Sequence, residues 1–205
     1  MTNGSMNYLA HIYLSGDNEM VKLGNFMADD IKGSSFKSYP DEIQKGILLH
    51  RRIDWFTDQN EIVRKSKRRL NDRYGLYRGI IIDILYDHML AAHWARYSSV
   101  DLQKYAENFY GLLEKNENIL PDKIQHMSKY MIRHDWLTSY ASVDGIGQVL
   151  EGMNRRTGGK GEMNLAIADL KDNYEGLAHD FLLFFEKLRT FSAENLSEIN
   201  EQFTS

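Results

Sequence analysis

The chain has 205 residues, a formal net charge of −4 and no cysteine. That length suits one domain or two small ones, and the missing thiols exclude disulfides and thiolate metal sites. Hydrophobic residues make up 42% and charged residues 26%, an ordinary soluble balance, and no apolar run approaches the ~20 residues that span a bilayer. A polar start without an apolar stretch argues against a secretory signal, and cysteine-free composition is compatible with a cytoplasmic location.

Met1–Ser5 precede a second methionine, Met6, and read as a leader or expression scar. The domain is expected over residues 6–192, with a polar tail over 193–205. Only two prolines and no short-strand rhythm predict helices throughout. Met6–Leu14 is a short apolar segment ended by Ser15-Gly16-Asp17-Asn18. A helix is predicted over 19–31 and stopped by Gly33. Pro40 suits a first helical residue, with Asp41 and Glu42 at the positive helix end, so helices are expected over about 40–56 and 59–73. Leu76–Tyr97 is apolar nearly all round and reads as a helix through the core. Ser98-Ser99 is expected to cap 100–118, Pro121 to open 121–140, and Ser142 with Asp144 to lead into 143–155. Asn154–Gly161 is a glycine-rich connector, and it lacks the spacing of a phosphate loop. Leu165–Leu188 returns to helix, striped by Leu170, Leu177, Phe181 and Phe184. The expected fold class is all-α: a single multi-helix domain of about seven to nine helices.

Three polar clusters interrupt apolar helices. His50-Arg51-Arg52-Ile53-Asp54 continues to Thr57-Asp58, and His50 and Asp54, four apart, share a face. Asp83 and Asp87 share another face, with His88 turned ~100° from Asp87. Asn25 and Asp29 share a third, and His11 adds an imidazole near the start. Imidazole and carboxylate suit Mn, Fe, Zn or Mg, and buried carboxylates must be paired or metal-bound. The competing reading makes each of them a cap, a salt-bridge partner or a satisfied core polar group, with Arg51 or Arg52 pairing Asp54 or Asp58. The dipeptides His134-Asp135 and His179-Asp180 lack ligand-spaced neighbours and read as surface residues, as do His93 and His126. Residues 64–73 hold six basic residues and one acid in a chain that is otherwise acidic.

Taken together, several motifs resemble the acyl carrier protein phosphodiesterase family. They are Met6-Asn7-Tyr8-Leu9-Ala10-His11, Gly24-Asn25-Phe26-Met27-Ala28-Asp29, Gly46 with His50-Arg51-Arg52-Ile53-Asp54 and Thr57-Asp58, and Asp83 with Tyr86-Asp87-His88 and Trp94. Trp136-Leu137 and Leu150-Glu151-Gly152-Met153 look similar too, so the resemblance runs over about residues 6–190. It implies a divergent relative of the all-helical HD-type metal phosphohydrolases, although Asp87-His88 reverses the usual order. It implies hydrolysis of the phosphodiester joining 4′-phosphopantetheine to a serine of acyl carrier protein, with a divalent metal, Mn2+ preferred.

On that reading His50, Asp54, Asp87 and His88 are the core ligands, with Asp29 a fifth. Asp58 and Asp83 orient an imidazole or a water, and His11 is either a ligand or the acid that protonates the serine oxygen. Arg51 or Arg52 holds a phosphate oxygen, and Asn25 positions the phosphate or Asp29. Arg64, Lys65, Arg68 and Arg69 form a positive stripe that would steer an acidic carrier protein. A solvated helix surface is the plain alternative, and nucleic acid is disfavoured because no aromatics interleave the run. An HD-like hydrolase of a small phosphoester and a catalytically silent protein that binds an acidic partner are the competing functions. Trp and Tyr residues on helices leave room for an oligomer.

Overall fold

Eleven α-helices, joined by 3-10 turns and without a strand, make up the described residues, 8–204, of this computed structural model. The expected leader, Met1–Ser5, lies outside those residues.

Helix α1 (Tyr8–Leu14) leads into α2 (Glu19–Met27), which Asn18 caps by accepting the N–H groups of Met20 and Val21. A 3-10 turn, Ala28–Asp30, ends this segment. Pro40 stands one residue ahead of α3 (Asp41–Gln59) rather than inside its first turn. Its extended ψ of 150° makes it the N-cap, and Asp41 and Glu42 still occupy the positive end. Helices α2 and α3 cross with their backbones almost touching. A Cβ on Gly24 would lie 2.2 Å from the Ile43 carbonyl oxygen, and one on Gly46 would lie 2.1 Å from that of Val21. Only glycine permits this approach, and the approach brings Asn25 and the 28–30 turn against His50.

Helix α4 (Glu61–Arg69) stops earlier than its charge pattern suggests. The chain then turns through Asp72–Tyr77, where Gly75 takes a φ of 49°, before α5 (Arg78–Ala92). Helix α5 is buried from Ile81 to Ala91 except at Asp83, as its apolar circumference predicts. Helix α6 (Leu102–Lys115) is capped by Asp101, which accepts from Lys104 N–H at 2.8 Å, and not by Ser98 or Ser99. The helix expected over 121–140 is two, α7 (Asp122–Arg133) and α8 (Trp136–Ser139), broken where Asp135 adopts a left-handed φ of 45°. Ser142 caps α9 (Val143–Arg156) as expected. Helix α10 (Ala166–Asp172) is short.

Helix α11 (Tyr174–Thr204) has 31 residues, about 46 Å at 1.5 Å per residue. The tail expected over 193–205 is therefore no separate segment, and Ser192 and Ile199 are buried. Phe181 and Phe185 pack on Tyr86 and Tyr97, and Phe191 stacks on Phe56 with centroids 4.3 Å apart. Asp180, read from sequence as a surface residue, is fully buried. It accepts from Lys65 Nζ at 2.8 Å, Arg69 Nε at 2.7 Å and Ser66 Oγ at 3.2 Å, tying α4 to α11. His179, ~100° round the helix, is exposed. No helix among the described residues is long and apolar enough to cross a membrane.

Candidate metal centre

His11 on α1 and His50 and Asp54 on α3 turn their polar atoms to one point, and Asp29 on the 28–30 turn reaches His50 from the side. His50 Nε2 lies 3.1 Å from Asp54 Oδ2 and 3.3 Å from Asp29 Oδ1. His11 Nε2 lies 3.3 Å from Asp54 Oδ1, and the two imidazoles stack with centroids 4.1 Å apart. One ligand atom each from His11, His50 and Asp54 lies within 4.8 Å of the others.

Asn25 sets which ring nitrogens face this point. Its Nδ2 donates to the His11 carbonyl at 3.1 Å and to Ser15 Oγ at 2.9 Å, so Oδ1 is left as the acceptor. His11 Nδ1 therefore donates to Asn25 Oδ1 at 2.7 Å. His50 Nδ1 lies 2.9 Å from the Asn25 carbonyl oxygen, which can only accept, so it donates too. Both Nε2 atoms are thereby turned toward the carboxylates, the arrangement that outer hydrogen bonds give to ligating histidines.

Burial disfavours charge on His50, but the hydrogen bonds and charges of Asp29 and Asp54 override it and raise its pKa to about 10. Burial also works against the Asp54 carboxylate, yet contacts from His11 and His50 hold it well below the usual range. The His11, His50 and Asp54 donors, with both imidazoles oriented by a buried Asn, are compatible with a divalent metal ion.

A cavity of about 350 Å³ opens beside Asp54, lined also by Thr57, Asp58, Lys67, Arg78 and Asp83. Burial raises the Asp83 pKa well above the carboxylate range, and the Asp54 charge adds to this while Lys67 opposes it. Asp58, at the cavity edge, is 74% exposed and lies 3.9 Å from Lys67 Nζ.

Asp87 and His88 are engaged elsewhere. Asp87 is fully buried and accepts the N–H groups of Leu9 and Ala10 at 2.8 and 2.9 Å, so it caps the start of α1. Burial raises its pKa to about 8 against the pull of those donors. His88 Nδ1 donates to the Tyr140 carbonyl at 2.8 Å, and burial lowers its pKa. Arg51 donates to the carbonyls of Ile31 and Gly33 and covers Phe36. Arg52 bridges to Asn195 and Glu198 on α11. In the basic segment Arg64 pairs with Glu61, Lys65 and Arg69 hold Asp180, and Arg68 is exposed.

Two features escaped the sequence reading. The double role of Asn25 depends on a helix crossing that no local pattern encodes. Lys67 left a signal: it falls four residues after buried Val63, at the edge of the packed face of α4 and apart from its solvent stripe.

The family model described as acyl carrier protein phosphodiesterase matches residues 6–188. The chain is 33% identical over 181 residues to the acyl carrier protein phosphodiesterase of Pectobacterium atrosepticum, covering 88% of this chain and 92% of that one. It is 32% identical over 187 residues to that of Escherichia coli, covering 89% and 95%. For Klebsiella pneumoniae the identity is 32% over 197 residues, covering 93% and 98%. No solved structure matches. With the family model matched over residues 6–188, the chain belongs to the acyl carrier protein phosphodiesterase family.

Proposed function

We propose that the protein hydrolyses the phosphodiester joining 4′-phosphopantetheine to the serine of holo-acyl carrier protein, releasing the apo-carrier protein and free 4′-phosphopantetheine. The observation that carries this reading is the convergence of His11, His50 and Asp54, with Asp29 against His50, beside an open cavity, in a chain whose relatives bear that name.

Those four side chains would hold a divalent ion, with Mn2+ the expected one and Mg2+, Fe2+ or Zn2+ compatible with the donors. Such an ion supplies an acidified water and neutralises charge on the phosphoryl group. Asn25 keeps both histidines in the tautomer that presents Nε2. Desolvation raises the Asp83 pKa on the wall of the same cavity. Asp83 is our choice for the group that gives a proton to the departing serine oxygen. Asp87 acts through α1, holding the helix that carries His11. The carrier protein would approach along α4, where Arg64 and Arg68 stay at the surface. A cytoplasmic location goes with that substrate.

A mass assay tests the reading. The protein is incubated with holo-acyl carrier protein and Mn2+, beside an EDTA control and the His50→Ala variant. Loss of about 340 Da, the phosphopantetheine released when water cleaves the diester, is expected only in the untreated wild type. No loss from a protein that binds Mn2+ would move the activity to another phosphoester. No loss and no bound metal would leave a binding protein.

A further inference from the structure

The cavity beside Asp54 holds a cation that the packing of the fold does not use. Lys67 lines it, and its one ion pair among the described residues is the loose contact with Asp58. Its neighbours in the basic segment are otherwise engaged: Lys65 and Arg69 brace buried Asp180.

The Lys67 ammonium rests on the first turn of α5, where a Cβ added to Gly79 would lie 3.6 Å from Nζ. That turn is the positive end of a 15-residue helix, contains no acid and begins with Arg78. The carboxyl groups of Asp54, Asp58 and Asp83 face the same cavity, and Lys67 is the ammonium set among them at the positive helix end. Arg78 spends its guanidinium on Asp72 and the Asn71 carbonyl, so Lys67 is the donor left facing the cavity. Across the same space stands Asp54, a member of the candidate metal centre. Lysine suits the position, because a compact ammonium with three donors can follow a tetrahedral phosphoryl group.

We propose that Lys67, seated on the first turn of α5, binds the non-bridging oxygens of the scissile phosphodiester and holds it facing Asp54. This inference rests on the phosphodiesterase reading, whereas the anion subsite itself is testable without it. The cavity thus has two walls of different work. The α3 wall carries Asp54 of the donor set, and the α4–α5 wall carries the charge that fixes the phosphate.

The test measures binding of inorganic phosphate to the Mn2+-loaded protein by calorimetry, beside turnover of holo-acyl carrier protein. Lys67→Met keeps the apolar stem and removes the charge. Lys67→Arg restores charge, and Lys104→Ala removes an exposed charge on α6, away from the cavity. Lys67→Met is expected to weaken phosphate about tenfold or more, the loss of one charge-assisted contact, with Mn2+ content and Tm unchanged. Lys67→Arg should recover part of the affinity, and Lys104→Ala should match wild type. Phosphate affinity equal to wild type in Lys67→Met, or no phosphate binding by wild type, overturns the proposal. Phosphate binding that depends on Lys67 in a protein unable to cleave holo-carrier protein would retain the subsite and discard the substrate.

Discussion

Asn25 is the residue on which the candidate centre turns. Five hydrogen bonds link it to His11, Ser15 and His50 within a fully buried setting. Asn25→Ala removes the acceptor that fixes the His11 ring and leaves the His50 contact to the backbone. Mn2+ affinity should fall between about 10- and 100-fold, as for other outer hydrogen-bond partners of ligating histidines, and calorimetry would show it. An unchanged affinity would mean that the histidines need no such support. His50 adds a pH dependence. Its pKa of about 10 means that the ion-free site holds a proton on Nε2 at neutral pH. An ion must displace that proton, so Mn2+ affinity should rise with pH, by up to about tenfold per unit between roughly pH 7 and 9. A flat profile over that range would contradict the geometry. At this scale the sequence was informative where local spacing decides contact. His50 and Asp54 were paired correctly because they stand four apart on one helix. Asp87 and His88 were expected among the core ligands, but α5 is apolar on every side and its pattern carries no direction.

At the scale of elements, the α2–α3 crossing and the α4–α11 bridge have different tasks. The crossing is set by Gly24 and Gly46, and Asn25, Asp29 and His50 inherit their alignment from it. Gly46→Ala would drive a Cβ to 2.1 Å from the Val21 oxygen and 2.7 Å from the Asn25 nitrogen. The helices must part, at a cost of about 2–3 kcal/mol, and Mn2+ binding should weaken with them. Thermal unfolding and calorimetry on the same variant check both. The α4–α11 bridge is structural. Asp180→Ala strands Lys65 and Arg69, both partly exposed, and should lower stability by about 2 kcal/mol while leaving Mn2+ affinity intact. A large loss of metal binding there would show that α11 supports the centre more directly. Helix existence was readable from hydrophobic period and caps. The breaks at Asp135 and Asn173 were not, because one residue's backbone angle is chosen by what the flanking helices pack against.

For the whole molecule, the basic segment proves to be divided in use. Two of the four cations expected to meet an acidic partner hold Asp180, while Arg64 and Arg68 remain outward. The double reversal Arg64→Glu with Arg68→Glu should raise the KM for carrier protein several-fold at low salt, with the difference shrinking as salt screens it. Its kcat should hold, and a KM equal to wild type at low ionic strength would remove α4 from the docking surface. The stripe looked uniform in sequence because charge counts do not say which side chains bend inward.

The amino-acid sequence by itself determined the all-helical class, the order of most helices and membership of a phosphodiesterase family. Period, caps and composition are local properties, and the family's motifs lie in order along the chain. Only the tertiary structure decided that His11 joins His50 and Asp54, that Asp87 serves α1, that Asp180 is internal and that Lys67 faces the cavity. Each of these depends on which face of one helix meets which face of another. That choice is made by close backbone approach and by burial of side chains distant in sequence, which no single segment encodes.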